Sequence, residues 1–192
     1  MLLLGSRILD KAVMSLQTGT RLASIKAPLI DPANLKIVAY VLEGPLLSEQ
    51  PSFLRTADVR ELSSIGLIVD SSDEFVGMND VIKLEELYNL GFSLIGMPVI
   101  DEMKRKIGKV EDYTIETESF VIQQLHIKRG ILRGFTDTGA LIHRSQIVEI
   151  NDKNIIVHTT AKKLTPVMKN ERTTAYINPF RSTAPQPEQI KR

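Results

Sequence analysis

Neither cysteine nor tryptophan occurs among the 192 residues. Without cysteine there are no disulfides and no thiolate-bound metal, so a disulfide-stapled secreted scaffold is excluded and a reducing cytoplasm is the expected setting. Aromatic residues are scarce, at 5%. The core must then come from Ile, Leu and Val, which fall here in short runs of the kind strands prefer. Long apolar runs are missing as well. Met1-Leu2-Leu3-Leu4 stops at Gly5 and Ser6, too soon for a signal-peptide core or a membrane span, and reads as the first strand. No later run approaches the roughly 18 apolar residues that cross a bilayer, so any membrane association is expected to be peripheral or through a partner.

What is present is ordinary for a globular protein: 43% hydrophobic and 24% charged residues. The net charge of +1 hides a polarity along the chain. Residues 161–192 hold seven basic and two acidic side chains, whereas residues 1–76 hold seven and nine. Only the tail is basic.

An internal repeat sets the number of domains. Phe53-Leu54-Arg55-Thr56-Ala57-Asp58-Val59-Arg60-Glu61-Leu62 aligns without a gap on Leu141-Ile142-His143-Arg144-Ser145-Gln146-Ile147-Val148-Glu149-Ile150. The register continues from Leu67-Ile68-Val69 to Ile155-Ile156-Val157. At the front, Gly5 to Asp10 matches Gly96 to Asp101, and after a slip Gly19-Thr20-Arg21-Leu22 faces Gly108-Lys109-Val110-Glu111. This gives a first unit over 1–76, a linker over 77–93, a second unit over 94–163 and a flexible, basic, proline-containing tail over 164–192.

Each unit reads as short strands and turns. Arg21 to Ile30 and Lys36 to Leu42 flank Asp31-Pro32-Ala33-Asn34; Val110 to Glu116 and Phe120 to Ile127 flank Thr117-Glu118-Ser119. Tight turns at Ser63 to Gly66 and Asn151 to Asn154 join the last two strands of each unit. Lys11 to Thr18 reads as a long loop with unusually apolar Ala12, Val13, Met14 and Leu16. In the linker the period changes: Val81, Leu84, Leu87 and Tyr88 recur at helical spacing, Asn79 or Asp80 can cap the start and Gly91 the end. These four side chains are expected to pack between the modules. The expected fold is therefore mostly β, with two small barrels or rolled sheets in tandem joined by a short helix.

The turn glycines and apolar anchors at Gly5 to Asp10, Gly96 to Asp101, Gly19, Gly108 and the two closing patterns resemble the PRC-barrel family over about residues 2–160. The resemblance implies two six-stranded barrels of PRC type that serve as binding or assembly modules. It carries over no catalytic residues, and one branch of the family, the C-terminal domain of a ribosome maturation factor, implies a ribosome-associated role as an alternative.

Chemistry-bearing clusters are few. His126, His143 and His158 have no second ligand at close metal spacing, so neither metal nor cofactor is expected. No phosphate loop, dinucleotide glycine turn or nucleophile elbow occurs. The group that stands out is basic: Lys104, Arg105, Lys106 and Lys109 in one hairpin, Lys128, Arg129 and Arg133 near another strand end. On a shared end of a barrel they would form a positive rim for an RNA backbone or an acidic protein, unless Asp101, Glu102, Glu111 and Asp112 neutralise them. Aromatic residues for base stacking are not interleaved. The chain is thus read as a non-enzymatic adaptor that docks a protein partner, with RNA or ribosome binding as the alternative and homo-oligomerisation open through an uncovered strand edge.

Overall fold

The computed structural model describes residues 1–63, 65–128 and 139–158, and residues 1–160 cluster as one compact unit. The expectations for residues 164–192, Arg129 and Arg133 lie outside the described residues.

The chain is mostly β. Strands β2 (Ala12–Ser15), β3 (Arg21–Asp31), β4 (Lys36–Glu43), β5 (Ser52–Arg55), β6 (Glu61–Leu62), β7 (Gly66–Val69) and β8 (Phe75–Val76) form one sheet in the order β6-β7-β2-β3-β4-β5-β8. After α1 (Ile82–Leu90), β9 (Pro98–Asp101), β10 (Lys106–Glu116), β11 (Ile122–Lys128), β12 (Ala140–His143), β13 (Ile147–Ile150) and β14 (Ile155–Val157) form a second, in the order β12-β11-β10-β9-β14-β13. Six strands recur with identical connectivity. In both sheets the first strand runs parallel to the last, β2 with β7 and β9 with β14, and every other shared pairing is antiparallel. Among the described residues neither path closes on itself.

The correspondence extends to irregularities. A bulge interrupts β3–β4 between Ile25 and Ala27 and again between Leu29 and Ile30, and β10–β11 breaks at the counterpart positions, between Val110 and Asp112 and between Thr114 and Ile115. Leu35 and Phe120 end the two central hairpin turns, both with positive φ, 53° and 56°. Bulges and left-handed residues are costly for side-chain-bearing positions, so their recurrence marks one backbone used twice.

Two sequence expectations are corrected by these pairings. The gapless alignment of residues 53–69 with 141–157 holds pair for pair, since β5 and β12 meet β4 and β11 in the same register. The front alignment does not hold. Asp10 N–H bonds to Ile25 O and Ile25 N–H to Lys11 O, while Gly96 N–H bonds to Val110 O and Val110 N–H to Met97 O. Gly96 therefore answers to Asp10, not to Gly5. Likewise the left-handed Gly19 (φ 68°) answers to Lys104 (φ 61°), and Gly108 to Ala23. The Lys11 to Thr18 segment is not a long loop, because it contains β2, whose Val13 is fully buried.

Met1–Leu4 supplies a strand, β1 (Leu2–Leu4), as expected, but it joins the other unit: Leu2, Leu3 and Leu4 stand opposite Glu116, Ile115 and Thr114 of β10. The helix starts later than its sequence suggested. Val81, whose side chain has no polar atom, is the N-cap residue and gives no side-chain cap, while Asp80 accepts a hydrogen bond from Gly77 N–H (2.5 Å) instead. Gly91 ends the helix in the left-handed conformation, φ 61°.

One continuous apolar core joins the two sheets. Their central hairpins meet reciprocally: Ile37 N–H bonds to Phe120 O (2.9 Å), and Ile122 N–H bonds to Leu35 O (2.8 Å). Lys36 and Val121 face each other as counterparts. Residue i touches j and j's counterpart touches i's, the signature of a local two-fold axis. Tyr40 and Phe120 stack edge-on beside it, centroids 6.2 Å apart.

Candidate functional site: the cleft between the modules

The helix covers only one sheet. Leu84 is buried in a cluster with Leu29, Ala39 and Phe53 of the first sheet, Val81 and Leu87 pack partly against it, and the Tyr88 ring sits edge-on to Phe53 at 5.4 Å. At the equivalent positions of the second sheet stand Thr114, Gln124 and Leu141, and Leu141 is 56% exposed.

Where α1 ends and the second unit begins, a cleft of about 490 Å³ opens along the middle of β3. Its walls are apolar: Pro28 and Leu29 on the strand, Leu87 on the helix, Phe92 and Leu94 on the segment leading to β9. Leu9, Tyr88 and Ile95 border it and stay 38%, 38% and 51% exposed. Charge is confined to Lys26, Glu111 and Asp112. Lys26 is bound to Glu43 (2.9 Å) and Glu111 to Lys128 (3.2 Å). Asp112 accepts from Ser6 Oγ–H (2.6 Å) and N–H (3.2 Å), which ties the first unit to the second at the cleft's edge. Burial pushes the pKa of the cleft-lining Tyr113 hydroxyl well above the ordinary tyrosine value, with the Asp112 charge adding to it, so it stays neutral. A concave, largely apolar surface with a few fixed polar groups suits binding and supplies no reactive constellation.

The basic residues lie at one end of the β10–β11 ladder and in the β9–β10 turn that leads into it. Lys104 sits at the left-handed corner of the β9–β10 turn, and Arg105 Nε is bound to Asp101 Oδ2 at 2.6 Å. Asp101 is buried and also accepts from the N–H groups of Met103 and Arg105. Desolvation alone would raise its pKa, but the Arg105 backbone and guanidinium hydrogen bonds outweigh it and hold the carboxyl below the ordinary aspartate value. Lys109 stands directly opposite Lys128, a like-charged pair that Glu111 relieves from the Lys128 side. Among the described residues no ion pair forms at Lys104, Lys106 or Lys109. Of the four carboxylates expected to neutralise this group, Asp101 pairs with Arg105 and Glu111 with Lys128, Glu102 also contacts His158 (3.1 Å), and Asp112 accepts from Ser6.

The histidines serve three separate local contacts: His126 with Thr114 Oγ1 (2.7 Å), His143 with the Ser145 backbone, and His158 with Glu102. Among the described residues no three His, Cys, Asp or Glu side chains gather to hold a metal, and no helix is long and apolar enough to cross a membrane.

Sequence reasoning did not single out Pro28, Phe92 or Ile95. The signal was present in the repeat, since the correct register sets Pro28 against Tyr113, but it could be used only once that register was known. Residues 89–164 match the family model described as the PRC-barrel domain. No curated protein matches the chain.

Proposed function

The chain carries a PRC-barrel domain over residues 89–164, and from that premise we propose that residues 1–163 work as two tandem barrels of this type and form a non-enzymatic adaptor that docks a protein partner at the cleft between them. The observation that carries this reading is the exposed apolar rim, Leu9, Tyr88 and Ile95, around a cleft with apolar walls. Apolar side chains gathered at one concavity mark contact surfaces, whereas scattered ones need no explanation. The repeated six-strand connectivity supports treating the first unit as a divergent copy of the second. Absent cysteine supports a reducing, cytoplasmic setting.

A second reading is binding to RNA or to a ribosome through Lys104, Lys106, Lys109 and Lys128, supported by the adjacent, like-charged Lys109 and Lys128. Salt separates the two. Affinity capture of the full chain is run at 0.1 M and 0.5 M salt, with and without nuclease, beside the variants Ile95→Asp and Lys104→Glu/Lys106→Glu. The adaptor reading expects a protein that survives high salt and nuclease, is lost with Ile95→Asp, and ignores the charge reversal. Binding that collapses at high salt and with the charge reversal overturns it in favour of the nucleic-acid reading.

A further inference from the structure

The two-fold repeat makes the cleft a place where one copy is filled and the other is not. Counterpart residues follow from the pairings: Pro28 stands opposite Tyr40 as Tyr113 stands opposite Leu125, so Pro28 occupies in β3 the place of Tyr113 in β10. Gly5 and Gly91 are counterparts too, each three residues before a buried aliphatic, Ile8 and Leu94, whose carbonyl accepts from Lys11 and Met97. In the filled copy the Tyr113 ring lies against Gly5 so closely that a Cβ there would collide with the ring's edge. In the other copy Gly91 is left-handed (φ 61°), unlike Gly5, a Cβ on it would meet nothing within 4 Å, and Pro28 carries no aromatic ring to reach it. Pro28, Gly91 and Phe92 all line the cleft.

We propose that this is a vacant aromatic slot, the point at which the partner protein inserts a tyrosine or phenylalanine side chain and reproduces from outside the contact that Tyr113 makes on Gly5 from within. The proposal rests on the adaptor reading and names its anchor. The cavity of about 490 Å³ that Pro28 and Gly91 both line has room for an aromatic ring, and aromatic anchors in desolvated pockets carry much of the energy of protein interfaces. The neighbouring apolar residues Leu9 and Ile95 then close around the anchor and exclude water.

The test uses the full chain and N-acetyl-tyrosinamide as the probe, followed by backbone amide NMR shifts. Saturable shifts are expected, centred on residues 27–30 and 91–95, with a Kd on the order of 1–10 mM. N-acetyl-leucinamide is expected to bind at least tenfold more weakly. Pro28→Tyr, which installs the missing ring in cis, is expected to abolish the shifts. Leu9→Glu, a change at a partly exposed rim position, is expected to weaken them at least fivefold, and it keeps the test decisive if Pro28→Tyr does not fold. Equal binding of the leucine compound overturns the slot, as do shifts centred elsewhere or shifts that neither variant alters. Because the probe needs no partner, loss of the slot with salt-resistant, Ile95-dependent capture intact overturns this inference and leaves the adaptor reading standing.

Discussion

The first and second modules share a backbone down to their bulges but wear different outer faces. In the first, Leu29, Ala39 and Phe53 lie under α1; in the second, Thr114, Gln124 and Leu141 hold the same places without a helix above them. Most interior positions stayed aliphatic in both copies, as Ile37 and Ile122 or Val13 and Val99 do, because both copies must fill one core. The outer positions followed whatever covered them. Substitution at a repeated position is thus governed by its contacts rather than by its ancestry.

The largest expected effect breaks this comparison at its clearest pair. Phe53→Ala should cost about 3–5 kcal/mol, while Leu141→Ala should stay within about 0.5 kcal/mol, both measured by chemical denaturation. Comparable losses would mean that the second face is also covered.

Next in size is the glycine pair. Gly5→Ala drives a methyl group into the Tyr113 ring and should cost about 1–3 kcal/mol by overpacking. Most of that added cost should vanish in a Tyr113→Ala background, a coupling readable from a double-mutant cycle. Gly91→Ala, strained by its positive φ, should show no such coupling to Pro28→Ala.

The turn after the first strand of each unit offers a comparison in pH. Ser15 and Asp101 are buried counterparts that accept hydrogen bonds from their own turns, Ser15 from Thr18 N–H at 3.2 Å. The carboxyl of Asp101 is held low in the folded chain, so the stability it contributes is fully present above 3.8 and is lost as pH falls through the lowered folded value. Asp101→Asn should therefore flatten the acid limb of the stability profile, and Ser15→Ala should lower stability without changing its pH dependence. Parallel profiles for Asp101→Asn and the parent chain would contradict this.

The smallest effect concerns Tyr40, counterpart of Leu125. Its hydroxyl is buried without a hydrogen-bond partner among the described residues, so Tyr40→Phe should be neutral or stabilising by up to about 1 kcal/mol in thermal unfolding.

The closing halves of the repeat were legible in the sequence because apolar anchors and tight turns follow one another there without insertion. The front halves misled because glycine serves two unrelated needs. Gly5 and Gly108 are there for close approach, to the Tyr113 ring and to the Lys128 backbone, whereas Gly19 and Gly96 supply positive φ. Asp10 and Lys104 meet the second need without being glycine, so matching glycine to glycine shifted the register. The cleft was invisible for a related reason: it comes from what Pro28 lacks relative to Tyr113, and a vacancy has no motif. The basic residues were found, yet their spacing could not reveal that Arg105 and Lys128 are already paired to carboxylates.

The segment leading into each module lies on the other module: β1 runs along β10, and α1 rests on the first sheet. Neither copy, cut away from its twin, would keep its own cover. Deleting one half would strip an edge strand or a helical lid from the survivor, so each half is bound to keep its twin.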